Sequence, residues 1–294
     1  MRIDRKSTPD SKPPIIEFSH TFLKINDIAG IRYTTEVPSN TVVIFGIGAP
    51  LPPDNGHLNN AAHFLARGFD VFVPDYIGSG RSDGQFTPLN CIKTFTQLFE
   101  NFTDGCVGVN TYEKIRKEVR YDRVVIAGRS FAGTYIPVLP RFNRDIKELA
   151  VFFPVVDSKS QGEMKEEGED ETNELFLAGM KDDGYHHLYR GILDPEWIDH
   201  LENRDDLSPM DNIDHLANAK MFIGHGKKDT IVSYKKSEIY YDLLLRRFPK
   251  KERDFLLAIY HNGGHDSFTT FPGTNDFLDW LAGRLVTKED QTQP

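Results

Sequence analysis

The feature of this sequence that most limits its fold is a regular alternation of short apolar runs with amphipathic stretches. Apolar runs rich in β-branched residues occupy residues 42–45, 71–74 and 123–127, and segments of helical character separate them at about residues 58–67 and 90–119. Such runs are typical of strands buried on both faces, and their alternation with helices is typical of a parallel sheet. The sequence therefore predicts an α/β fold with a mostly parallel central sheet and helices on both faces.

Other segments extend this architecture at both ends. Residues 15–25 and 30–37 favour an antiparallel pair of strands that leads into the sheet. After a predicted strand at 149–153 the alternation stops. It resumes with strands at 220–223 and 255–260 and helices at 234–247 and 275–285.

The interruption at residues 157–208 is predicted to be a small helical lid inserted into one domain. The core of that domain would comprise residues 15–156 and 209–287, and residues 1–14 and 288–294 would be flexible termini. The lid contains sixteen acidic and five basic residues, so it holds more negative charge than the net −9 of the whole chain. Such a run could repel anionic substrates or attract cationic ones, but a solvated surface is the favoured interpretation.

Charge and composition exclude several classes of protein. A net charge of −9 argues against general binding to nucleic acids or anionic membranes, which requires a basic surface. No apolar run approaches the roughly 20 residues of a membrane-spanning helix, and the polar N-terminal segment lacks the apolar core of a secretory signal, so a cytoplasmic protein is expected. Cys91 and Cys106 are too few for a disulfide framework or a zinc site, and no metal or other cofactor is expected. The oligomeric state stays open.

The strongest local motif is a predicted strand that runs into a turn of small residues with Ser130 at its apex. Gly128 stands two positions before the serine and Ala132 two positions after it, where the usual Gly-x-Ser-x-Gly pattern has a second glycine. A nucleophile on a sharp strand-to-helix turn needs small neighbours, because the backbone passes close to them. The strand context favours Ser130 as a nucleophile over a chance match.

Two later residues follow predicted strands in glycine-containing loops. Asp229 comes after the strand at 220–223, and His265 comes after the strand at 255–260. A serine hydroxyl needs a base, and the base needs a carboxylate to orient it, so His265 and Asp229 suit these roles. His261 is a competing base, but the two glycines that precede His265 favour the latter. The same glycines argue against a helical His-x-x-x-His metal site.

These motifs resemble the α/β-hydrolase family over about residues 30 to 287. The resemblance rests on a His-Gly-x-x-Asp match ending at Asp229, a Gly-Gly-His match ending at His265, and the loop at 74–84. The order Ser130, Asp229, His265 is also the chain order of this family. Gly-Arg-Ser-Phe at 128–131, followed by Pro-Val-Val-Asp, resembles prolyl-oligopeptidase-like peptidases. The loop at 74–84 is equally similar to monoacylglycerol lipases and feruloyl esterases.

The resemblance implies an oxyanion hole built from two backbone N–H groups. Phe131 would supply the first and Ile47 the second, with Gly46 as an alternative to Ile47. Arg129 could bind a substrate carboxylate, although a structural ion pair is the favoured interpretation. Trp197, in the predicted lid, could face the substrate or pack the lid onto the core.

The sequence thus predicts a serine hydrolase that cleaves carboxylic esters through an acyl-Ser130 intermediate. The expected partner is a small-molecule ester or a short acyl or peptide substrate. A peptidase or amidase, an acyl-thioesterase and an acyltransferase remain alternatives. A non-catalytic binding protein of the same fold is a further alternative, although none of the three residues is lost. Neither Gly46-Ile47-Gly48 nor Gly78-Ser79-Gly80 continues into a dinucleotide fingerprint, so no nucleotide is expected.

Overall fold

Eleven β-strands form one continuous sheet in the computed structural model, which describes residues 1–6, 13–57, 61–161, 173–182 and 188–285. The strands are β1 (Arg2–Arg5), β2 (Ser19–Ile25), β3 (Ile28–Thr34), β4 (Thr41–Gly46), β5 (Asp70–Pro74), β6 (Cys106–Asn110), β7 (Arg116–Val119), β8 (Arg123–Arg129), β9 (Glu148–Phe152), β10 (Lys220–Gly226) and β11 (Phe255–Tyr260). The helices of the described residues are α1 (Ala62–Leu65), α2 (Pro88–Asp104), α3 (Ala132–Tyr135), α4 (Leu139–Phe142), α5 (Asn173–Lys181), α6 (Asp194–Leu201), α7 (Tyr234–Arg247) and α8 (Ser267–Leu281).

The sheet is parallel over most of its width and antiparallel at one side. Its strand order is β1-β11-β10-β9-β8-β4-β5-β3-β2-β6-β7. All pairs from β1 to β5 along this order are parallel, and the remaining pairs are antiparallel. The predicted antiparallel lead-in corresponds to β2 and β3. Parallel pairing brings the carboxyl ends of β4, β8, β10 and β11 to one edge, where a site can form.

Two apolar layers cover the two faces of the sheet. Alternate residues of β4 enter different layers, with Ile44 in one and Phe45 in the other. Helices α2, α3 and α7 pack on the first face, whereas α1 and α8 pack on the second. Each large apolar side chain that these helices bury contributes about 1.5–3 kcal/mol to stability. The prediction of a mostly parallel sheet with helices on both faces is confirmed.

The segment predicted as helical at 90–119 is helical only in its first part. Helix α2 ends at Asp104, and Gly105 follows with a φ of +91°, a conformation that L side chains rarely adopt. Strands β6 and β7 then form a hairpin that pairs with β2. Burial alternates along Cys106–Asn110, which is the period of a strand and not of a helix. The helical prediction is therefore wrong from Gly105 onward.

The N-terminal segment predicted to be flexible contains an ordered edge strand. Arg2–Arg5 pairs with β11 in parallel register, Arg2 opposite Leu257. The Arg5 guanidinium donates two hydrogen bonds to Asp276 of α8, at 2.6 and 3.0 Å. The prediction of a flexible terminus is wrong for this strand, because pairing and an ion pair fix its polar residues. The predicted flexible residues 288–294 lie outside the described residues.

The predicted lid at 157–208 contains two described helices, α5 and α6. Residues 162–172 and 183–187 of this insertion lie outside the described residues. Arg190 donates hydrogen bonds to the carbonyls of Gly80 and Ser82, in the loop after β5. Tyr189 forms a bridge with Ser79 beside them. None of the helices in the described part of the chain has the length and apolar character that crossing a membrane requires.

Candidate active site

Ser130 stands at the sharp turn between β8 and α3. Its φ is +53°, in the left-handed region that residues other than glycine rarely adopt. Its N–H donates to the Phe152 carbonyl at 2.9 Å, and its carbonyl accepts from the Gly133 N–H at 2.7 Å. The strained backbone is thus held from both sides, and the side chain projects from the carboxyl end of the sheet.

Ala132, where the usual pattern has glycine, fits because two neighbouring positions lack side chains. A Cβ added to Gly46 would lie 2.6 Å from the Ala132 methyl carbon, and one added to Gly128 would lie 2.7 Å from it. Both distances are shorter than real carbon contacts, so the methyl group occupies space that two glycines leave. Gly133 is needed for another reason, since a Cβ there would lie 2.5 Å from Cβ of Pro154.

Three predicted residues form a continuous hydrogen-bonded row. Oγ of Ser130 lies 2.8 Å from Nε2 of His265, and Nδ1 of His265 lies 2.8 Å from Oδ2 of Asp229. The Asp229 carboxylate has no solvent exposure, whereas the His265 side chain is 16% exposed. The row therefore runs from a buried charge to a serine that solvent and substrate can approach.

The loops that carry Asp229 and His265 lie against each other. A Cβ at Gly226 would lie 2.4 Å from the backbone of Gly263, so this close approach requires glycine at position 226. Oγ1 of Thr269 donates to the Gly264 carbonyl at 2.7 Å, and Asp266 caps α8 by accepting from the Phe268 N–H. These contacts fix the short loop that presents His265.

The Asp229 carboxylate accepts from four donors. Its Oδ1 accepts the N–H groups of Ile231 and Val232, both at 2.9 Å. Its Oδ2 contacts His265 and also Nε2 of His225, at 3.3 Å. Burial alone would raise the pKa of Asp229, but the hydrogen bonds from the two histidines outweigh burial and hold the pKa well below its usual value. Asp229 is therefore an anion when it faces His265.

His225 is part of the site, although the sequence analysis gave it no role. Its side chain is fully buried, with Nδ1 2.7 Å from Oγ of Ser237 and Nε2 3.0 Å from the Val232 carbonyl. A carbonyl only accepts, so Nε2 of His225 carries a proton and donates it to Val232. The only sequence signal was its position in the His-Gly-x-x-Asp motif.

Phe153 is a second residue that sequence reasoning missed. Its ring centroid lies 4.1 Å from that of His265, and its φ is +39°. Its N–H donates to the Gly224 carbonyl at 2.7 Å, which holds the unusual backbone. The ring limits where the His265 imidazole can move. No sequence pattern marks a phenylalanine that packs on a histidine more than 100 positions away.

The predicted oxyanion donors lie on either side of Ser130. Among the described residues, no acceptor contacts the N–H of Phe131 or of Ile47. The hydroxyl of Tyr76 donates to the Ile47 carbonyl at 2.7 Å and fixes that peptide unit. A Cβ at Gly48 would lie 3.5 Å from Oγ of Ser130, so this loop passes directly over the serine. Gly46, the alternative donor, is the last residue of β4.

Two cavities lie close to the serine. A small cavity of about 50 Å³, called the enclosed cavity, is lined by Ser130, Phe131, Phe176 and His200, among others. A wider cleft of about 440 Å³ is lined by Arg129, which precedes Ser130, and by Ile47, residues 51–55, His57, Ser267, Thr270 and Phe271. The enclosed cavity is therefore in direct contact with Ser130, and the wide cleft begins at Arg129 and Ile47.

Arg129 and Trp197, the two predicted substrate-binding residues, lie in different surroundings. Arg129 lines the wide cleft, and among the described residues it forms no ion pair, contrary to the favoured interpretation. Trp197 is fully buried, stacks on Phe86 and donates from Nε1 to the Phe86 carbonyl at 3.1 Å. Because Trp197 borders neither cavity, its assignment as a substrate-binding residue is wrong, and it packs the insertion onto the core.

The remaining sequence candidates lie elsewhere. Nε2 of His261 is 3.9 Å from Asp4 of the edge strand, and no contact joins His261 to Ser130 in the described residues. This arrangement agrees with the choice of His265. Among the residues that the structure describes, no group of three or more His, Cys, Asp or Glu side chains could hold a metal ion.

Comparison with known proteins gives one family match and many structural matches. Residues 171–285 match the model of the prolyl oligopeptidase family. No curated protein matches the sequence. An esterase from Pyrococcus furiosus is similar in structure, with 14% identity and a TM-score of 0.57 over 91% of this chain and 92% of that chain.

Two other solved structures are similar at comparable levels. An acylaminoacyl peptidase from Pyrococcus horikoshii has 14% identity and a TM-score of 0.59, over 91% of this chain and 41% of that longer chain. A putative esterase from Staphylococcus aureus has 12% identity and a TM-score of 0.55, over 98% of this chain and 86% of that chain. These likenesses establish a shared fold.

Proposed function

We propose that this chain, which has the α/β-hydrolase fold, is a serine hydrolase that cleaves carboxylic esters through an acyl-Ser130 intermediate. The observation that carries the proposal is the unbroken row from Ser130 through His265 to Asp229, with 2.8 Å at each link. The prolyl oligopeptidase family match and the esterase and peptidase neighbours support a serine hydrolase. The small size of the enclosed cavity favours an ester of a compact acyl group.

In the proposed mechanism, His265 acts first as a base and then as an acid. Its Nε2 takes the hydroxyl proton of Ser130 as Oγ attacks the ester carbonyl carbon, and the same proton passes to the departing alcohol. Asp229 keeps Nδ1 protonated and stabilises the imidazolium that forms. Water then repeats the sequence on the acyl-serine, which releases the acid and restores Ser130.

The proposed oxyanion hole consists of the N–H groups of Phe131 and Ile47. The carbonyl oxygen becomes negatively charged when Ser130 attacks, and two fixed donors stabilise that charge in the transition state. The Tyr76 hydroxyl supports this role indirectly, because it holds the Ile47 carbonyl and so fixes the peptide unit that follows the Ile47 N–H. No other acceptor in the described residues competes for either N–H.

Cleavage of a short peptide or amide is a second candidate. It is favoured by the description of the matching family and by the acylaminoacyl peptidase among the neighbours. The two activities use the same residues and differ in the leaving group. Comparison of kcat/KM for a 4-nitrophenyl ester and the 4-nitroanilide of the same acyl group decides between them.

The insertion at 157–208 is proposed to act as a lid over the site. Its Phe176 packs against Phe131 beside the serine, with ring centroids 5.6 Å apart. Its Tyr189 hydroxyl contacts both the N–H and the carbonyl of Leu51, at 3.0 and 3.1 Å. The lid thus contributes a wall of the enclosed cavity and is tied to the loop after β4.

Covalent labelling by a fluorophosphonate probe, read by intact mass, tests the proposal without a guess at the substrate. We expect the wild type to gain one probe adduct and Ser130→Ala to gain none. Ser158→Ala is the matched control, because Ser158 is also buried and lines the same enclosed cavity, and it should label like the wild type. Folded wild-type protein that fails to label would contradict the proposal and favour a binding protein.

A further inference from the structure

Arg129 holds a positive charge beside Ser130 that no described residue pairs. Its Nε atom is buried and has no hydrogen-bond partner, and no ion pair reaches its guanidinium within the described residues. The side chain as a whole is half-buried, and its terminal nitrogens are not buried, so a ligand can reach N–H donors that no described residue uses. The side chain lines the wide cleft of about 440 Å³, so its free donors face space that a ligand can occupy.

The nearest acidic group in the cleft is already engaged. Oδ2 of Asp54 accepts from the Tyr33 hydroxyl at 2.5 Å, and backbone N–H groups of Asn55 and Gly56 also donate to this carboxylate. Asp54 attracts Arg129 electrostatically but lies beyond ion-pair distance. Burial lowers the pKa of Arg129 more than attraction by Asp54 raises it, as expected of a cation with too little countercharge.

We propose that Arg129 binds a carboxylate of the substrate, so that the preferred esters carry a negative charge on the part that lies in the wide cleft. This inference rests on the proposed function of Ser130. Arg129 directly precedes the serine in the chain, and the cleft that it lines is also lined by Ile47, the proposed second oxyanion donor. A carboxylate on its guanidinium would therefore belong to the part of the ester that extends past Ile47 into the wide cleft. The planar guanidinium suits a two-point contact with a carboxylate.

The contents of the two cavities agree with this division of the substrate. The cleft around Arg129 has a polar wall that includes Ser267 and Thr270, whereas the enclosed cavity presents Phe131 and Phe176. The apolar part of the ester would enter the enclosed cavity and the anionic part would lie in the cleft. None of the described residues of the insertion lines this cleft.

Pairs of esters that differ only in charge test this inference. For an anion on the acyl side, the pair is the 4-nitrophenyl monoester of glutaric acid and its terminal carboxamide. For an anion on the alcohol side, the pair is 4-carboxyphenyl acetate and 4-carbamoylphenyl acetate. We expect the wild type to prefer the carboxylate of at least one pair, and Arg129→Met to reduce that preference in kcat/KM by about tenfold or more, the size of one lost charge-assisted contact.

Controls separate this inference from the proposed function and from misfolding. In Arg129→Met, kcat/KM should fall more for the carboxylates than for the carboxamides, and fluorophosphonate labelling reports the fraction of protein with an active serine, while Arg129→Lys should retain part of the carboxylate preference. Asp54→Asn removes the opposing charge and should increase the preference. A wild type that hydrolyses the carboxamides as well as the carboxylates in both pairs would overturn the inference and leave the serine hydrolase intact. A loss of preference in Arg129→Met matched by an equal loss of labelling would also overturn it.

Discussion

Nε2 of His225 lies 3.3 Å from Oδ2 of Asp229, the same oxygen that accepts from Nδ1 of His265. Two imidazoles and two backbone N–H groups thus surround one buried carboxylate. Ser237 and the Val232 carbonyl hold the His225 side chain, so its position does not depend on that of His265. The arrangement keeps Asp229 ionised and leaves only one of its contacts directed at Ser130.

Replacement of the Asp229 charge should nearly abolish turnover. In Asp229→Asn the amide cannot stabilise the imidazolium of His265 or select its tautomer, and we expect kcat to fall by about 10⁴-fold. Asp214→Asn is a suitable control, because Asp214 forms an exposed ion pair with Arg247 and no contact joins it to the site in the described residues. Steady-state kinetics on a 4-nitrophenyl ester measures both. A decrease of less than tenfold in Asp229→Asn would contradict the assigned role.

The variant Asp229→Asn also tests how the free energy of unfolding depends on acidic pH. Because the pKa of Asp229 is lower in the folded state than in the unfolded chain, its contribution to stability is full above the unfolded value of about 4 and is lost as the pH falls below it. The difference in unfolding free energy between wild type and Asp229→Asn should therefore shrink between about pH 5 and pH 2. Urea unfolding at several pH values measures it, and parallel curves would refute the expectation.

The serine turn has Ala132 where the usual pattern has glycine, and the space around the Ala132 methyl group explains how the turn accommodates it. Gly46→Ala should destabilise the protein by about 1–3 kcal/mol, because its Cβ would overlap the Ala132 methyl and the edge of the Phe95 ring. Adding Ala132→Gly removes the first of these contacts and should recover part of the loss. A double-mutant cycle by urea unfolding gives the coupling between the positions. Strictly additive effects would mean that the two groups do not compete for one space.

Phe176 is expected to set the length of the acyl chain. Phe176→Ala removes a ring that lines the enclosed cavity, so kcat/KM for octanoyl over acetyl 4-nitrophenyl esters should rise by about tenfold. Leu175→Ala, on the same helix but with a 61% exposed side chain, should keep the wild-type ratio. If Phe176→Ala and Leu175→Ala change the octanoyl-to-acetyl ratio equally, the change in chain-length preference comes from the lid as a whole and not from the Phe176 side of the enclosed cavity.

The edge strand β1 should contribute to stability through Arg5. Arg5→Met leaves the largely buried Asp276 with the Tyr260 hydroxyl, at 2.9 Å, as its remaining side-chain donor in the described part of the chain, and should cost about 1–3 kcal/mol. Arg2→Met breaks an ion pair with Glu238 that is more exposed and should cost less than about 1 kcal/mol. Thermal or urea unfolding distinguishes them. Equal, small effects would mean that β1 is held by its backbone alone.

The sequence was informative wherever function depends on the ends of parallel strands. Ser130, Asp229 and His265 could be found because each follows a buried strand in a loop with small residues, and parallel strands bring such loops together. His225 and Phe153 could not be assigned, because their roles depend on which side chains meet across neighbouring strands. The charge of Arg129 was hidden for the same reason, since only packing reveals that no acid among the described residues forms an ion pair with it.

Errors in the predicted fold have equally specific causes. Strand β1 is short and polar, and its partner β11 is distant in sequence, so no local pattern indicated it. The hairpin of β6 and β7 follows directly on the long helix α2. Its first strand has five residues, and the alternation of so short a strand is weaker than the helical periodicity of α2 that precedes it. Trp197 was an aromatic residue in an insertion, and composition alone does not show whether such a side chain faces a cavity or the core.

The pairing of β1 with β11 has a consequence for how the chain matures during synthesis. Arg2 leaves the ribosome before its partner Leu257, which is more than 250 residues later in the chain. Strand β1 therefore has no partner strand while most of the sheet is being synthesised. The edge of β10 that pairs with β11 likewise has unpaired N–H and C=O groups until β11 has been made. His265 follows β11 directly, so the last strand to enter the sheet also delivers the final residue of the site.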